Sequence, residues 1–293
     1  MIMKTHPVQI FGSPVSLALS LGVAAGLLTP GLVGAAGRSS SSDLSIVRDP
    51  GTGNLKLSWT GGGTLKQSRT LDGTFQPVRA RGRSHHFAPV EDQLIFSLES
   101  AGPIFSVNIV GYINTSIPPG LSLIANQLWN QDNSVALLIN SPADGTQVYK
   151  YVEGAGYEVS TFDATSQTWS NPDMTLKPGI GFFYRNPTSQ TIVNTFVGEV
   201  RTGTLVNRLP AGFSTEGAII PQLLSLSEHL IPGEPGDVVR LYVNDGQGNE
   251  DYVTSVFSET EGTWVPNLML GVGQGFISER AHAVDWVRVF TVN

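Results

Sequence analysis

The chain has 293 residues, contains no cysteine and has a formal net charge of −7. The lack of cysteine excludes a disulfide framework, a thiolate metal site and a cysteine nucleophile. Only 14% of the residues are charged, whereas glycine (33) and proline (18) are frequent, which is typical of short strands joined by tight turns. The acidic balance disfavours nucleic acid as a partner, since phosphate binding needs a concentrated positive surface.

The N-terminus has the pattern of a secretory signal peptide. Lys4 precedes an apolar stretch over 15–33, and small residues follow at 34–37, as signal peptidase requires. Glycine and proline interrupt the stretch and no basic cluster follows it, which disfavours a retained membrane anchor. We therefore expect a signal peptide over 1–36 and a flexible mature N-terminus over 37–43. The protein would be secreted, periplasmic or on the cell surface, with no integral membrane span after cleavage.

A first β module is predicted over 44–102. Apolar and polar residues alternate in segments separated by glycine- or proline-containing turns, at 44–47, 55–59, 64–68 and 93–98, as in half-buried strands. Seven Lys/Arg against four Asp/Glu make 44–98 basic, whereas eight against eighteen make the chain from Pro103 onward acidic. This change of sign predicts a domain boundary near Pro103.

Several short motifs characterise this module. Leu57-Ser58-Trp59 before three glycines, then Gly73-Thr74-Phe75 and the closing apolar strand, resemble the immunoglobulin-like or fibronectin type III-like modules of secreted bacterial proteins. The resemblance implies a small β-sandwich. One loop is expected to hold Arg79, Arg81, Arg83, His85 and His86. We interpret it either as a solvated loop whose histidines point apart, or as a site for an acidic polymer or a metal.

The rest of the chain contains one β-rich pattern twice. The matches keep their order at a nearly constant offset: Pro118-Pro119-Gly120 with Pro210-Ala211-Gly212, Gly145 with Gly236, Thr168-Trp169 with Thr263-Trp264, Gly179-Ile180-Gly181-Phe182 with Gly273-Gln274-Gly275-Phe276, and Phe196 with Phe290. This self-similarity predicts a duplication, with a first unit over 103–200 and a second unit over 201–293. The predicted fold is all-β: a small β-sandwich-like module followed by two tandem homologous β-barrel or sandwich units.

Local patterns within the units indicate hairpins and close packing. Residues 147–151 and 157–162 alternate as two strands on either side of a turn at Gly154, which predicts a β-hairpin. The Gly-x-Gly-Phe motifs lead into apolar strands, where glycine permits a bulge or a close approach of backbone. They lack the third glycine, the helix and the acidic residue of a dinucleotide site.

Three strings of the first unit carry a second resemblance. Ser106-Val107-Asn108-Ile109-Val110-Gly111-Tyr112, Pro119-Gly120-Leu121-Ser122-Leu123-Ile124-Ala125-Asn126-Gln127-Leu128 and Pro178-Gly179-Ile180-Gly181-Phe182 resemble a family of uncharacterised secreted β-rich proteins of Verrucomicrobia-type environmental bacteria, over about 104–293. The resemblance implies an envelope or extracellular setting. It supplies no catalytic residue.

Aromatic residues at similar places in the two units are the candidate ligand-binding residues: Trp169, Trp264, Tyr149 and Tyr242. If Trp169 and Trp264 are exposed and coplanar, they present faces on which sugar rings stack. Alternatively each tryptophan fills the core of its own unit, and this structural interpretation is the one that we put first.

One oxygen-rich turn, over 244–251, offers a candidate metal site. Asp245, Asn249 and Asp251 are ligands of the kind that calcium prefers, and calcium is the one cofactor that the sequence suggests. The spacing departs from the EF-hand pattern, and the alternative is an ordinary polar hairpin turn. The five histidines show no zinc-type spacing and no Gly-x-Ser-x-Gly elbow occurs, so no catalytic residue is selected.

Three functions remain open after these observations. The first is a non-catalytic exported structural or adhesive protein of the cell envelope or extracellular space. The second is a carbohydrate-binding module protein, and the third is a secreted hydrolase. The expected partners are envelope or extracellular polymers, polysaccharide among them, or a second copy of the chain, and not nucleic acid.

Overall fold

The computed structural model describes residues 43–99 and 108–291, so the predicted signal peptide lies outside the described residues. Antiparallel strands form nearly all of the regular structure in these ranges. The protein is all-β and sandwich-like, as predicted, and no closed barrel occurs among the described strands. No helix within the described ranges is long and apolar enough to cross a bilayer.

The elements fall into three groups along the chain. The first group is β1 (Leu44–Arg48), β2 (Leu55–Trp59), β3 (Thr64–Ser68), β4 (Gln76–Pro77), β5 (Ser84–Phe87) and β6 (Gln93–Glu99). The second is β7 (Ile109–Ile117), β8 (Gly120–Ala125), α1 (Val135–Leu138), β9 (Gln147–Val152), β10 (Gly156–Asp163), β11 (Thr168–Trp169), β12 (Gly181–Asn186) and β13 (Ile192–Val200). The third is β14 (Gly203–Leu209), β15 (Gly212–Gly217), β16 (Leu224–Ser225), β17 (Val238–Asn244), β18 (Glu250–Ser258), β19 (Thr263–Val265), β20 (Met269–Leu270), β21 (Gly275–Arg280) and β22 (Val284–Phe290).

The first group contributes to two sheets, of order β1-β2-β5 and β13-β7-β6-β3-β4. Alternation on β2 turns Leu55 and Leu57 inward, where both are fully buried in a core shared with Phe96 and Tyr112. Burial of each such side chain stabilises the fold by about 1.5–3 kcal/mol. Strand β6 pairs with β7, so the predicted first module and the first unit share a sheet. The boundary near Pro103 stays a prediction.

The expected loop over residues 79–86 is shorter than predicted. Ser84–Phe87 forms β5, which pairs with β2, and the Phe87 ring packs against Phe96 and Tyr112 at 5.2 and 6.0 Å. Neighbouring residues of a strand point to opposite faces. His85 and His86 therefore point apart, as the structural interpretation expected.

The two predicted units each contain a five-stranded sheet of the same order. The first is β11-β10-β9-β12-β8 and the second is β19-β18-β17-β21-β15. Each unit also pairs its first and last strands, β7 with β13 and β14 with β22. Phe182 and Phe276 occupy corresponding places on β12 and β21 and are fully buried in separate cores.

Two matched backbone hydrogen bonds join the units. The Ala125 N–H donates to the Gly273 carbonyl oxygen at 2.9 Å, and the Gly217 N–H donates to the Gly179 carbonyl oxygen at 3.0 Å. Ala125 and Gly217 end corresponding strands, β8 and β15, so each unit donates and accepts at the same places. The contact between the units therefore has an approximate local two-fold relationship.

The second glycine of each Gly-x-Gly-Phe motif lies at this contact. A Cβ on Gly275 would lie 2.9 Å from the Ile124 carbonyl oxygen, and a Cβ on Gly181 would overlap the Glu216 backbone. The first glycines, Gly179 and Gly273, have φ of 102° and 75°, which are values that residues other than glycine rarely adopt. The predicted close approach of backbone is confirmed.

Candidate functional site

Each unit carries a pair of tyrosines that face each other across its hairpin. Tyr151 on β9 is opposite Tyr157 on β10, with ring centroids 5.5 Å apart. Tyr242 on β17 is opposite Tyr252 on β18, with ring centroids 5.3 Å apart. Directly opposed residues of an antiparallel pair have side chains on the same face of the sheet. Each hairpin therefore presents two adjacent phenol rings on one face.

The two hairpins meet at a cleft between the units, which we call the tyrosine cleft. It has a volume of about 360 Å³ and is lined by Leu121, Tyr149, Tyr157, Phe183, Tyr242, Glu250 and Tyr252. Tyr157 and Tyr252 form its exposed rims, at 45% and 44% exposure, whereas Phe183 is buried. A volume of this size falls in the usual range of small-ligand pockets.

Edge-to-face ring contacts fix the cleft. The Phe183 ring lies 6.2 Å from Tyr157 and 5.4 Å from Tyr242, with interplanar angles of 65° and 87°. Tyr149 lies 6.5 Å from Tyr157, and its hydroxyl donates to Gln147 Oε1 at 2.7 Å. Such pairs contribute about 0.5–1.5 kcal/mol beyond their buried area. The aromatic lining is therefore held in place before any ligand binds.

Asn244 secures the second hairpin against the first unit. Its Nδ2 donates to the carbonyl oxygens of Pro119 and Leu121, at 2.8 and 2.7 Å, and its Oδ1 accepts from the Gly246 N–H. Leu121 itself lines the cleft. The side chain that begins the polar turn thus connects the two walls of the tyrosine cleft.

Two phenols of the cleft have raised pKa values, and one carboxylate lies among the lining residues. Burial raises the pKa of Tyr157. Burial, with the nearby Glu250 carboxylate, raises the pKa of Tyr242 above its usual range. The Tyr242 hydroxyl oxygen is buried, and no hydrogen-bond partner of ordinary geometry for it occurs among the described residues. The cleft combines uncharged aromatic faces with a single acidic group.

Both candidate tryptophans are buried, so the expectation of exposed, coplanar rings is wrong. Trp169 is 6% exposed and packs on Phe162 at 5.4 Å. Trp264 is 1% exposed, and its indole N–H donates to the Ile231 carbonyl oxygen at 3.0 Å. They belong to different cores. A large apolar ring at the inward position of a strand favours burial, and the core interpretation holds for both.

Two of the four predicted aromatic residues, Tyr149 and Tyr242, do line one cleft. The sequence prediction missed Tyr157 and Tyr252, which form the rims. Local register was the available signal: a turn at Gly154 places Tyr151 opposite Tyr157. The meeting of the two hairpins depends on contacts between the units, which no local pattern shows.

Of the candidate calcium ligands, Asp245 and Asn249 lie in the turn between β17 and β18, and Asp251 is the second residue of β18. Asp245 Oδ1 accepts from the backbone N–H groups of Gln247 and Asn249, at 2.7 and 3.2 Å. Asp245 Oδ2 accepts from Asn249 Nδ2 at 2.5 Å. Asp251 accepts from the Tyr252 N–H. These contacts are those of a polar hairpin turn, and the three residues form no converging set of oxygens. Calcium binding stays a prediction.

The sequence matches no protein-family model and no curated protein. The resemblances to a secreted β-rich family and to immunoglobulin-like or fibronectin type III-like modules stay predictions. The geometry of the tyrosine cleft is therefore the main guide to function.

Proposed function

We propose that this is an exported, non-catalytic adhesive protein that binds polysaccharide in the tyrosine cleft. One observation carries the proposal: the exposed rings of Tyr157 and Tyr252, one from each unit, line the same cleft. Sugar rings offer apolar C–H faces, and aromatic side chains with an apolar body and a polar tip suit them. Export is supported by the N-terminal pattern of the sequence alone.

The rest of the lining fits the same ligand class. The pKa values of Tyr157 and Tyr242 are raised by burial, so these two rings stay uncharged at physiological pH and suit neutral sugar faces. Glu250 accepts hydrogen bonds and suits hydroxyl donors. Hydrolysis of a glycosidic bond uses two carboxyl groups, whereas Glu250 is the one acid among the described residues that line the cleft. This supports binding over hydrolysis.

Duplication of an ancestral unit would explain why the cleft exists. The identical strand order of the two five-stranded sheets and the matched hydrogen bonds at Ala125 and Gly217 support that proposal. In this arrangement the tyrosine pair of one unit approaches that of the other. A single cleft then replaces the two separate sites that the sequence suggested.

The test is retention on a panel of neutral soluble and insoluble polysaccharides, using the protein purified from expression of the full chain. Tyr157→Ala and Tyr252→Ala should each weaken binding to the retained polymer by about threefold to tenfold, since each removes one stacking ring. Tyr252→Phe, which keeps the ring, should bind nearly as the parent protein does. Val193→Ala truncates a side chain that is 55% exposed outside the cleft and should change nothing.

Two results would count against the proposal. One is the absence of retention on every polymer of the panel. The other is retention that Tyr157→Ala and Tyr252→Ala leave unchanged while both variants fold. Circular dichroism and thermal unfolding of each variant separate lost binding from lost structure.

Self-association is a second candidate, favoured by the β14–β22 ribbon. Val206 and Val287 are opposite each other in its register and are 54% and 44% exposed, with Val289 at 68%. Neither edge of the ribbon pairs with a further strand among the described residues, and unpaired edges are templates for another chain. Sedimentation of the parent protein and of Val287→Lys would show this assembly as a loss of oligomer in the variant.

A further inference from the structure

A second and larger groove lies on the surface of the first unit, next to β1. It has a volume of about 810 Å³ and is lined by Ile46, Val47, Arg48, Pro50, Asn130, residues 136–142, Phe162, Gln167, Thr168, Trp169, Pro172, Thr195 and Val197. None of these residues lines the tyrosine cleft. The walls are apolar side chains, including the edges of the Trp169 and Phe162 rings, with several amide and hydroxyl groups.

Arg48 is the one charged side chain in this lining, and it has no carboxylate partner among the described residues. Its Nη1 donates to Asn140 Oδ1 at 3.1 Å. Its Nε is buried and makes no hydrogen bond within the described ranges. The guanidinium therefore lines the groove with one amide partner and no counter-charge among the described residues.

Two residues of the lining have a left-handed backbone conformation, which residues other than glycine rarely adopt. Ser141 has φ of 49° and Gln167 has φ of 56°. Each such conformation costs on the order of 1–3 kcal/mol, and such residues cluster at binding and active sites. Gln167 lies in the turn between β10 and β11, where its Nε2 donates to the Ala164 carbonyl oxygen at 2.6 Å. The groove thus holds strain at two separate loops.

The charge of the surroundings selects the ligand. The lining has one cation and no acid among its described residues. A guanidinium fork matches the two oxygens of a carboxylate. The apolar walls suit the ring that bears it.

We propose that this groove binds a carboxylate-bearing sugar, a uronic acid unit of an acidic polysaccharide, through Arg48. The site is separate from the tyrosine cleft and does not depend on the function proposed for that cleft. The protein would then hold an acidic polymer at one surface and a neutral polymer at another.

The experiment measures binding of galacturonic acid oligomers by titration calorimetry to the protein purified from expression of the full chain. The oligomers should bind more tightly than the matching neutral galactose oligomers. Arg48→Gln should weaken their binding by about tenfold to a hundredfold, as expected for loss of a charge-assisted hydrogen bond. Arg48→Lys keeps the charge without the fork and should fall between. Arg185→Gln makes the same charge change at an exposed residue outside the groove and should bind as the parent does.

A second variant separates binding from folding. Gln167→Gly relieves the left-handed backbone, so its thermal stability should equal or exceed that of the parent protein. Its binding of the galacturonic acid oligomers should nevertheless weaken, because the groove loses an amide and a fixed loop.

Three results would overturn the proposal. Arg48→Gln would bind the acidic oligomers as Arg185→Gln does, or the neutral oligomers would bind as tightly as the carboxylated ones, or no oligomer would bind. If instead Tyr157→Ala abolishes binding of the acidic oligomers and Arg48→Gln leaves it intact, the ligand lies in the tyrosine cleft and the groove is not its site.

Discussion

The Gly181 Cα and the backbone of Glu216 approach so closely that a single added Cβ would overlap the Glu216 carbonyl oxygen. Gly275 stands in the same relationship to Ile124 at the other side of the contact, where an added Cβ would lie 2.9 Å from the carbonyl oxygen. The two glycines therefore allow the units to join through backbone. They explain why the Gly-x-Gly-Phe motif occurs in both units.

Alanine at either glycine should destabilise the protein. We expect Gly181→Ala and Gly275→Ala each to lower the free energy of unfolding by about 1–3 kcal/mol, because the contact must open to admit the methyl group. Gly62→Ala is the control, since nothing lies within 4 Å of the Cβ that it would add. Urea unfolding measures the difference. Equal stability of Gly275→Ala and Gly62→Ala would contradict the assigned role.

Truncation of the tryptophans should affect stability far more than truncation of the rim tyrosines. Trp264 is 1% exposed and Trp169 is 6% exposed, so Trp264→Ala and Trp169→Ala should each cost about 3–5 kcal/mol through lost contacts and a cavity. Tyr252→Ala, at 44% exposure, should cost less than about 1 kcal/mol. Thermal unfolding of the three variants gives the comparison, and a stable Trp264→Ala variant would argue against its core position.

The sequence pattern was sufficient to predict the strands with a clear alternation of apolar and polar residues. It was insufficient to predict how the strands assemble. The alternation over 55–59 and 147–151 depends on local burial, and β2 and β9 formed where predicted. The expected loop over 79–86 failed at Ser84–Phe87 because pairing with β2 is a contact between distant segments. The sequence pattern also does not distinguish an aromatic residue that faces a core from one that faces a cleft.

The tyrosine cleft shows the same division. The pairing of Tyr151 with Tyr157 follows from a local turn. The approach of Tyr157 to Tyr252 follows from packing between the units, to which Gly181, Gly275 and the ring contact between Phe183 and Tyr242 contribute. A sequence pattern therefore names the residues of a hairpin but not the site that two hairpins form.

A buried ion pair in the second unit should be sensitive to loss of its acid. Arg280 Nη1 donates to Asp237 Oδ2 at 2.9 Å, with side-chain exposures of 1% and 3%. Asp237→Asn would leave the guanidinium charge buried without its counter-charge, and we expect a loss of about 3–5 kcal/mol of unfolding free energy. Arg208 and Asp285 form an exposed pair, so Asp285→Asn should cost less than about 1 kcal/mol. Urea unfolding of both variants tests the contrast.

Glu216 should make stability fall as the pH rises. It is 6% exposed at the contact between the units, and burial raises the pKa of its carboxyl from 4.5 to about 7. A hydrogen bond from Asn207 Nδ2 to Glu216 Oε2 at 3.3 Å and the charge of Arg280 oppose that rise. The folded state binds this proton more tightly than the unfolded chain does. The contribution of protonated Glu216 to the free energy of unfolding is therefore fully present below about pH 4.5. It is lost by about pH 7, and it amounts to about 3 kcal/mol at most.

His229 should make stability rise as the pH rises, which is opposite to the effect of Glu216 and covers nearly the same pH range. Burial and the charge of Arg288 lower the pKa of its ring from 6.5 to about 4. The contribution of the neutral ring to the free energy of unfolding is therefore fully present above about pH 6.5, and it is lost as the pH falls toward 4. The two dependences oppose each other, and the parent protein should have a nearly flat stability profile between about pH 4.5 and 6.5.

Substitution of either Glu216 or His229 should leave the pH dependence of stability that the other residue causes. Glu216→Gln removes the carboxyl, so its stability should rise with pH across that range, whereas the stability of His229→Gln should fall. Glu153→Gln, at an exposed carboxylate, should keep the flat profile of the parent. Urea unfolding at pH 4.5, 5.5, 6.5 and 8 gives the profiles. Parallel profiles of Glu216→Gln and the parent protein would mean that Glu216 titrates alike in the folded and unfolded states, in which case the contact between the units carries no buried proton.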